Sequence, residues 1–221
     1  MKNLTLLIPA KEESESLPIV LDELKDYDCK KLVVLDKNDI ETINAIKTYD
    51  CEILYQSIKG YGSALIEGIN KIETDYLCIF NADGSFDPKF LPQMLSECEK
   101  NQDFIFSTRY SHNGSTEDDT FLTYLGNQIF SLIGNIFFKL NITDILYTFV
   151  LGKTASFKSL NLKYTDFRFC VELPIKAKKK LLKYINVGSD ERKRLKGKKK
   201  VNEFKDGFLI TLGLIKLFFG R

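Results

Sequence analysis

Asp83 stands in the run Phe80-Asn81-Ala82-Asp83-Gly84-Ser85, a carboxylate between two small residues with neutral oxygen donors close by. Such a carboxylate can hold a hard divalent cation that bridges two phosphate oxygens, with Asn81 or Ser85 lending another oxygen. The same run can also simply initiate a turn, with Asp87-Pro88 opening the next helix. Gly60-x-Gly62 precedes a helical pattern. It can bring backbone N–H groups close to a phosphate, or merely ease a loop into a helix. Asp36 follows an apolar run, where it can accept the N3–H of a uracil or the donors of a guanine, or cap a helix.

The elements that must position these residues can be read from periodicity. Apolar runs at 4–9, 32–36, 52–56, 76–81 and 103–107 alternate with amphipathic stretches around Leu17–Leu24 and at 40–49, 61–72 and 88–100. Short, nearly continuous apolar runs separated by helical periods indicate βαβ units and a parallel sheet covered on both faces. The fold class is therefore α/β. In such sheets ligands bind outside the carboxyl ends of the strands. Each run here ends in polar or glycine-rich residues: Pro9-Ala10-Lys11-Glu12-Glu13, Asp36, Lys59-Gly60-Tyr61-Gly62, Asn81-Ala82-Asp83, and Ser107-Thr108-Arg109-Tyr110. That convergence carries more weight than any one motif.

After Tyr110 the pattern changes. Residues 111–120 are polar and read as a mobile surface loop holding the single histidine, His112, expected in solvent. Residues 121–140 read as a long amphipathic helix, 166–179 as a shorter one, 184–187 as a strand and 207–219 as a last amphipathic helix. Residues 1–206 are expected to form one domain, with 207–221 as a C-terminal extension.

The 221 residues are 44% hydrophobic and 28% charged, as in ordinary folded domains. A net charge of +2 hides a Lys/Arg block over residues 176–205, which suits a phosphate or headgroup partner or is a solvated surface. That block lacks the interleaved aromatics of a nucleic-acid binder, so no nucleic-acid partner is expected. Five widely spaced cysteines without a CxxC pair fit free thiols in a reducing compartment. The start of the chain shows no signal-peptide pattern. The nearest approach to a membrane span, 121–140, is interrupted by Asn127, Gln128, Asn135 and two glycines.

Taken in order, Ile8-Pro9-Ala10-Lys11-Glu12-Glu13, Val33-Val34-Leu35-Asp36, Lys59-Gly60-Tyr61-Gly62-Ser63-Ala64, Phe80-Asn81-Ala82-Asp83 and Ser107-Thr108-Arg109-Tyr110 resemble the family 2 glycosyltransferases of the GT-A fold. Within that family the chain is most similar to the dolichol-phosphate mannosyltransferase and polyprenyl-phosphate glycosyltransferase branch. Thr143-Asp144-Ile145, Phe169-Cys170-Val171-Glu172 and Glu191-x-x-Arg194-x-x-Gly197-x-x-Lys200 resemble later elements of that branch. Some positions depart from its pattern. Asn81 stands where Asp is common, Leu35 and Lys37 flank Asp36, Lys11 replaces an aromatic residue, and Lys199 replaces a serine.

The resemblance implies a GT-A, mostly parallel sheet flanked by helices, with a C-terminal amphipathic extension. It implies an inverting transfer of a hexose from a GDP-mannose or UDP-glucose type donor to a polyprenyl or dolichyl phosphate. Pro9, Ala10, Glu13, Asp36, Lys59, Gly62, Asn81, Ala82 and Asp83 would bind the nucleotide sugar. Asp83, Asn81 and Ser85 would hold Mg²⁺ or Mn²⁺. Arg109, Arg194 and Lys200 would face phosphates, Arg194 within the catalytic set. A phosphate acceptor is already ionised, whereas an alcohol acceptor needs a base, for which Asp144 or Glu172 is the candidate. The 121–140 and 208–219 helices would face a membrane, placing the protein peripherally on its cytoplasmic side; they would equally serve core or homodimer packing. The alternatives are a family 2 transferase with a soluble sugar or glycan acceptor, and a non-catalytic nucleotide-binding homologue.

Overall fold

The computed structural model describes residues 1–111, 113–197 and 200–220. His112 and Lys199, both singled out above, lie outside the described residues.

Seven strands form one sheet: β1 (Leu4–Pro9), β2 (Lys30–Leu35), β3 (Glu52–Tyr55), β4 (Tyr76–Ile79), β5 (Phe104–Thr108), β7 (Val150–Lys153) and β8 (Tyr184–Gly188), in the order β3-β2-β1-β4-β7-β5-β8. All neighbouring pairs are parallel except those of β7, which runs antiparallel between β4 and β5. Short β6 (Ser115–Thr116) and β9 (Asp190–Glu191) pair separately. The α/β, GT-A type expectation of a mostly parallel sheet flanked by helices holds.

Because alternate strand residues face opposite sides, the continuous apolar runs feed two cores. Leu6, Ile8, Val33, Leu35 and Cys78 point into one, with α1 (Leu17–Glu23), α2 (Ile40–Ile46) and α4 (Leu91–Glu99). Leu7, Leu32, Val34, Leu77 and Ile79 point into the other, with α3 (Tyr61–Lys71), α6 (Thr154–Ser159), α7 (Phe169–Lys179) and α8 (Glu203–Phe219). Burying each such side chain contributes about 1.5–3 kcal/mol, so the sheet is anchored from both sides. All five cysteines are free thiols.

Three segments read from the sequence take a more definite form in the structure. The 111–120 segment is not a free loop: it contains β6, and Thr116 and Asp119 bond into the interior. The last helix begins at Glu203, four residues before the expected start at 207; Asn202 caps it, and its Ile210 and Leu214 belong to a core. Helix α5 (Phe121–Phe138) is long and apolar enough, by length and composition, to cross a membrane. It turns its polar residues inward: Asn127, Ser131 and Asn135 bond the backbone of Leu146, Ile145 and Ile142.

Strand order reverses around β1, since β2 and β3 lie on one side of it and β4 on the other. The carboxyl ends of β1 and β4 flank that switch point, where α/β sheets open a ligand crevice. A cavity of about 830 Å³ lies at the opposite end, lined by residues such as Asn3, Lys30, Lys71 and Asp75, and takes no part in this crevice.

Candidate active site

β4 delivers Asn81, Asp83 and Ser85 to the switch point. Gly84 adopts φ +81°, which turns the chain back on itself. Ser85 then donates to Asp83 Oδ1 from both its backbone N (3.0 Å) and its Oγ (2.7 Å). Asn81 Nδ2 donates to Ser85 Oγ at 3.2 Å. Asp83 and Ser85 are buried. The expected trio is thus linked in one chain of hydrogen bonds. Its donors are hard oxygens, which fit Mg²⁺ or Mn²⁺. Among the described residues no three His, Cys, Asp or Glu side chains gather as a metal cage. A cation here would therefore need oxygens from its ligand, as a diphosphate supplies.

A strap from Asp190 to Gly197 lies across this turn. Arg192 N donates to Ser85 O (2.8 Å) and Leu195 N to Asp83 O (2.9 Å). Arg192 also grips Glu23 through both terminal nitrogens and the carbonyls of Gly84 and Phe86. The strap carries Arg194 to 2.9 Å from Asp83 Oδ2, and Lys200 lies 3.3 Å from Glu12. Glu13, at the end of β1, is buried and accepts from Ser16 Oγ at 2.6 Å. Burial pushes its carboxyl above the ordinary range; the Ser16 bond opposes this and the charge of Asp83 adds to it. Asp83, Glu13, Arg194 and Lys200, far apart in sequence, form one charged cluster.

Other expected donor residues line the neighbouring strand ends. Pro9 closes β1, and Ala10 N donates to Val34 O. Ala82 is buried beside Asp83. Asp36 and Lys59 pair at 2.9 Å across the ends of β2 and β3. The Asn38 backbone N–H and Lys59 hold the Asp36 carboxyl below its ordinary value.

Four residues with expected roles have other partners in the structure. Arg109 is not free to meet a phosphate. Its Nε and Nη2 bond Asp144 at 2.8 and 2.9 Å, and its Nη1 bonds Asp119 and Glu191. The guanidinium lies over the rings of Tyr110 and Tyr147. Both oxygens of Asp144, the expected base, accept hydrogen bonds from Arg109 and Asn127. Glu172 accepts from the backbone N of Lys163 and Tyr164 and pairs with Lys176 at 2.8 Å, so it fastens a loop. Gly62 backs onto that loop. A Cβ there would sit 2.1 Å from Tyr164 O, and Ser63 N already donates to Thr165 O. Carbonyl oxygens face this glycine, which does not suit a phosphate.

Glu191 and Arg192 were not recognised as anchors from sequence, and Asp119 was assigned to a mobile loop. The available signals were the Glu191-x-x-Arg194 pattern and the acidic pair Asp190-Glu191 inside an otherwise basic run. Burial pushes Glu191 above the ordinary carboxylate range, with Arg109 opposing.

The family model described as Glycosyl transferase family 2 matches residues 5–160. The chain belongs to this family. Uncharacterized glycosyltransferases of Mycobacterium bovis and Mycobacterium tuberculosis are each 30% identical to this family 2 chain over 105 residues, 48% of either sequence. The chain spans about half the length of these curated relatives. Glucosyl-3-phosphoglycerate synthase from M. tuberculosis, in complex with Mn²⁺, UDP and glucosyl-3-phosphoglycerate, superimposes with a TM-score of 0.77 at 12% identity, over 97% of this chain and 79% of that one. Its complex with Mn²⁺, UDP-glucose and phosphoglyceric acid gives 0.75 at 14% identity and the same coverage. A further mycobacterial protein gives 0.74 at 14% identity, over 97% and 74%. At these identities the likeness is one of fold.

Proposed function

We propose that this family 2 glycosyltransferase moves a hexose from a nucleoside-diphosphate sugar to a soluble acceptor that carries its own ionised group. The observation that carries the reading is the Asn81–Ser85–Asp83 chain at the switch point, beside Arg194 and Lys200. Three hard oxygens and two cations together suit a metal-diphosphate. Asp83, Asn81 and Ser85 would hold Mg²⁺ or Mn²⁺, whose chemistry is to stabilise negative charge on the departing nucleoside diphosphate. Arg194 and Lys200 would neutralise further phosphate charge in a partly water-excluded site. Pro9, Ala10, Glu13, Asp36 and Lys59 would frame the nucleoside. With Asp144 and Glu172 committed elsewhere, an acceptor that brings an ionised oxygen removes the need for a strong base. The phosphoglyceric acid held by the synthase complex supports a soluble, anionic acceptor.

One observation favours a second acceptor, a polyprenyl or dolichyl phosphate met at a cytoplasmic membrane face. Helix α5 has no charged residue and exposes Phe121, Leu125, Ile129, Leu132 and Ile136. Beside it α8 exposes Phe208, Leu212, Ile215 and Phe219, and Phe218 joins the two helices against Phe137 and Phe138. Exposed apolar side chains grouped on adjoining helices suit an interaction surface. The exposed lysines Lys139, Lys205 and Lys216 border the patch, matching anionic headgroups.

Labelled UDP- and GDP-sugars with Mn²⁺ test both readings. Label in a water-soluble product supports the first acceptor, and label in the organic-extractable fraction supports the second. No metal-dependent release of nucleoside diphosphate from any donor would overturn both in favour of a non-catalytic homologue.

A further inference from the structure

The Asp83 carboxylate is fully partnered without a metal. Ser85 holds Oδ1 through two hydrogen bonds, and Arg194 Nη1 lies 2.9 Å from Oδ2. Both partners of that ion pair are largely shielded, with side-chain exposures of 20% and 9%. The strap keeps the backbone on either side of Arg194 in place. Leu195 N is tied to Asp83 O and Arg192 N to Ser85 O. The Leu195 side chain lies against Gly84. Arg192 is further clamped to Glu23. Arg194 can therefore change partner by moving its side chain while the strap remains seated.

We propose that Arg194 and Asp83 form an exchange pair that makes the site accept a divalent cation and a diphosphate together rather than a cation alone. This rests on the donor reading above. A lone cation that takes Asp83 Oδ2 must evict Arg194 and leave a shielded guanidinium without its carboxylate, which is unfavourable. A cation arriving with a diphosphate removes that penalty, because the guanidinium fork can pass to phosphate oxygens in its preferred two-pronged geometry. Arg194 is then an internal substitute for the cation in the empty state and a diphosphate ligand in the loaded state. By linkage, the diphosphate raises cation affinity by the same factor as the cation raises diphosphate affinity.

Two measurements test the exchange on the full chain: Mn²⁺ alone titrated by electron paramagnetic resonance, and UDP or GDP titrated calorimetrically with and without Mn²⁺. Arg194→Ala should bind Mn²⁺ alone about fivefold or more tightly than the wild type, and bind the nucleotide more weakly, within the range of ordinary site coupling. Arg194→Gln should behave the same way, and serves if the alanine variant does not fold. Arg194→Lys should stay closer to the wild type, since it keeps a charge on the strap. Asp83→Asn should abolish Mn²⁺ binding in every background. Unchanged or weakened Mn²⁺ affinity in folded Arg194→Ala or Arg194→Gln would overturn the exchange. If the wild type bound neither UDP nor GDP the donor reading would fail, while the Mn²⁺ titrations alone would still decide the exchange.

Discussion

Arg109 closes a two-pronged ion pair on Asp144, its Nε and Nη2 lying 2.8 and 2.9 Å from the two carboxylate oxygens. The Asp144 side chain has no exposed surface and that of Arg109 has 9%. Asn127 of α5 donates to the same carboxylate, while Asp119 and Glu191 complete the guanidinium. The pair thus fastens the helix, the 111–120 segment and the strap to the end of β5. Asp144→Ala leaves a buried arginine short of its main partner and should destabilise the fold by about 3–5 kcal/mol, read by urea unfolding. A loss under about 1 kcal/mol together with abolished turnover would return Asp144 to a catalytic role.

Asp83→Asn removes the only charged oxygen of the Asn81–Asp83–Ser85 group while keeping its shape. Turnover of the donor should fall roughly 100-fold or more, in a protein that still folds by circular dichroism although Arg194 loses its charged partner. Donor hydrolysis or transfer at the wild-type rate in Mn²⁺ would remove Asp83 from the site.

Gly62→Ala distinguishes packing from phosphate contact. Its new Cβ would meet Tyr164 O at 2.1 Å and Asp166 O at 2.8 Å, so the loop held by Glu172 must shift. The expected cost is about 1–3 kcal/mol in unfolding free energy. A variant with wild-type stability and weakened nucleotide affinity would instead mean that a phosphate approaches this glycine.

Glu191 sets a slope in stability with pH. Burial raises its folded-state pKa above the ordinary 4.5, so the folded chain keeps a proton that the unfolded chain releases. That contribution is fully present below about pH 4.5 and is lost as pH rises through the folded-state value. Glu191→Gln should flatten this slope above pH 4.5 in thermal denaturation. An unaltered slope would show that Glu191 does not titrate there.

The outer face of α5 and α8 should bind vesicles containing anionic lipid, and Ile129→Glu with Phe208→Glu should release the protein while leaving transfer to a soluble acceptor intact. Co-sedimentation reads this directly. If wild-type protein stayed in the supernatant and the same substitutions dissolved a dimer, a second copy rather than a bilayer would cover the face.

The strand-and-helix alternation of the first hundred residues determined the sheet, because runs such as Leu4–Pro9 are apolar at all positions but Thr5 and only a sheet covered on both faces can bury them. The same logic pointed to the carboxyl ends of the strands, and Asn81, Asp83 and Ser85 follow β4; the strand order then marked the switch point between β1 and β4. These residues lie within a few positions of each other, so local spacing was enough. The partners of Arg109, Arg194 and Glu172 could not be read this way. Arg194 reaches Asp83 from more than a hundred residues away, and one lysine or arginine in a basic run looks like the next. Gly62 carries no mark that tells a phosphate from the carbonyl of Tyr164. Strand β7 escaped because its four residues include Gly152 and owe their state to the edges of β4 and β5. Residue type and spacing chose the fold and the metal-capable carboxylate; only the tertiary structure decided which charges face the site and which are spent inside, because ion pairing depends on distance in space.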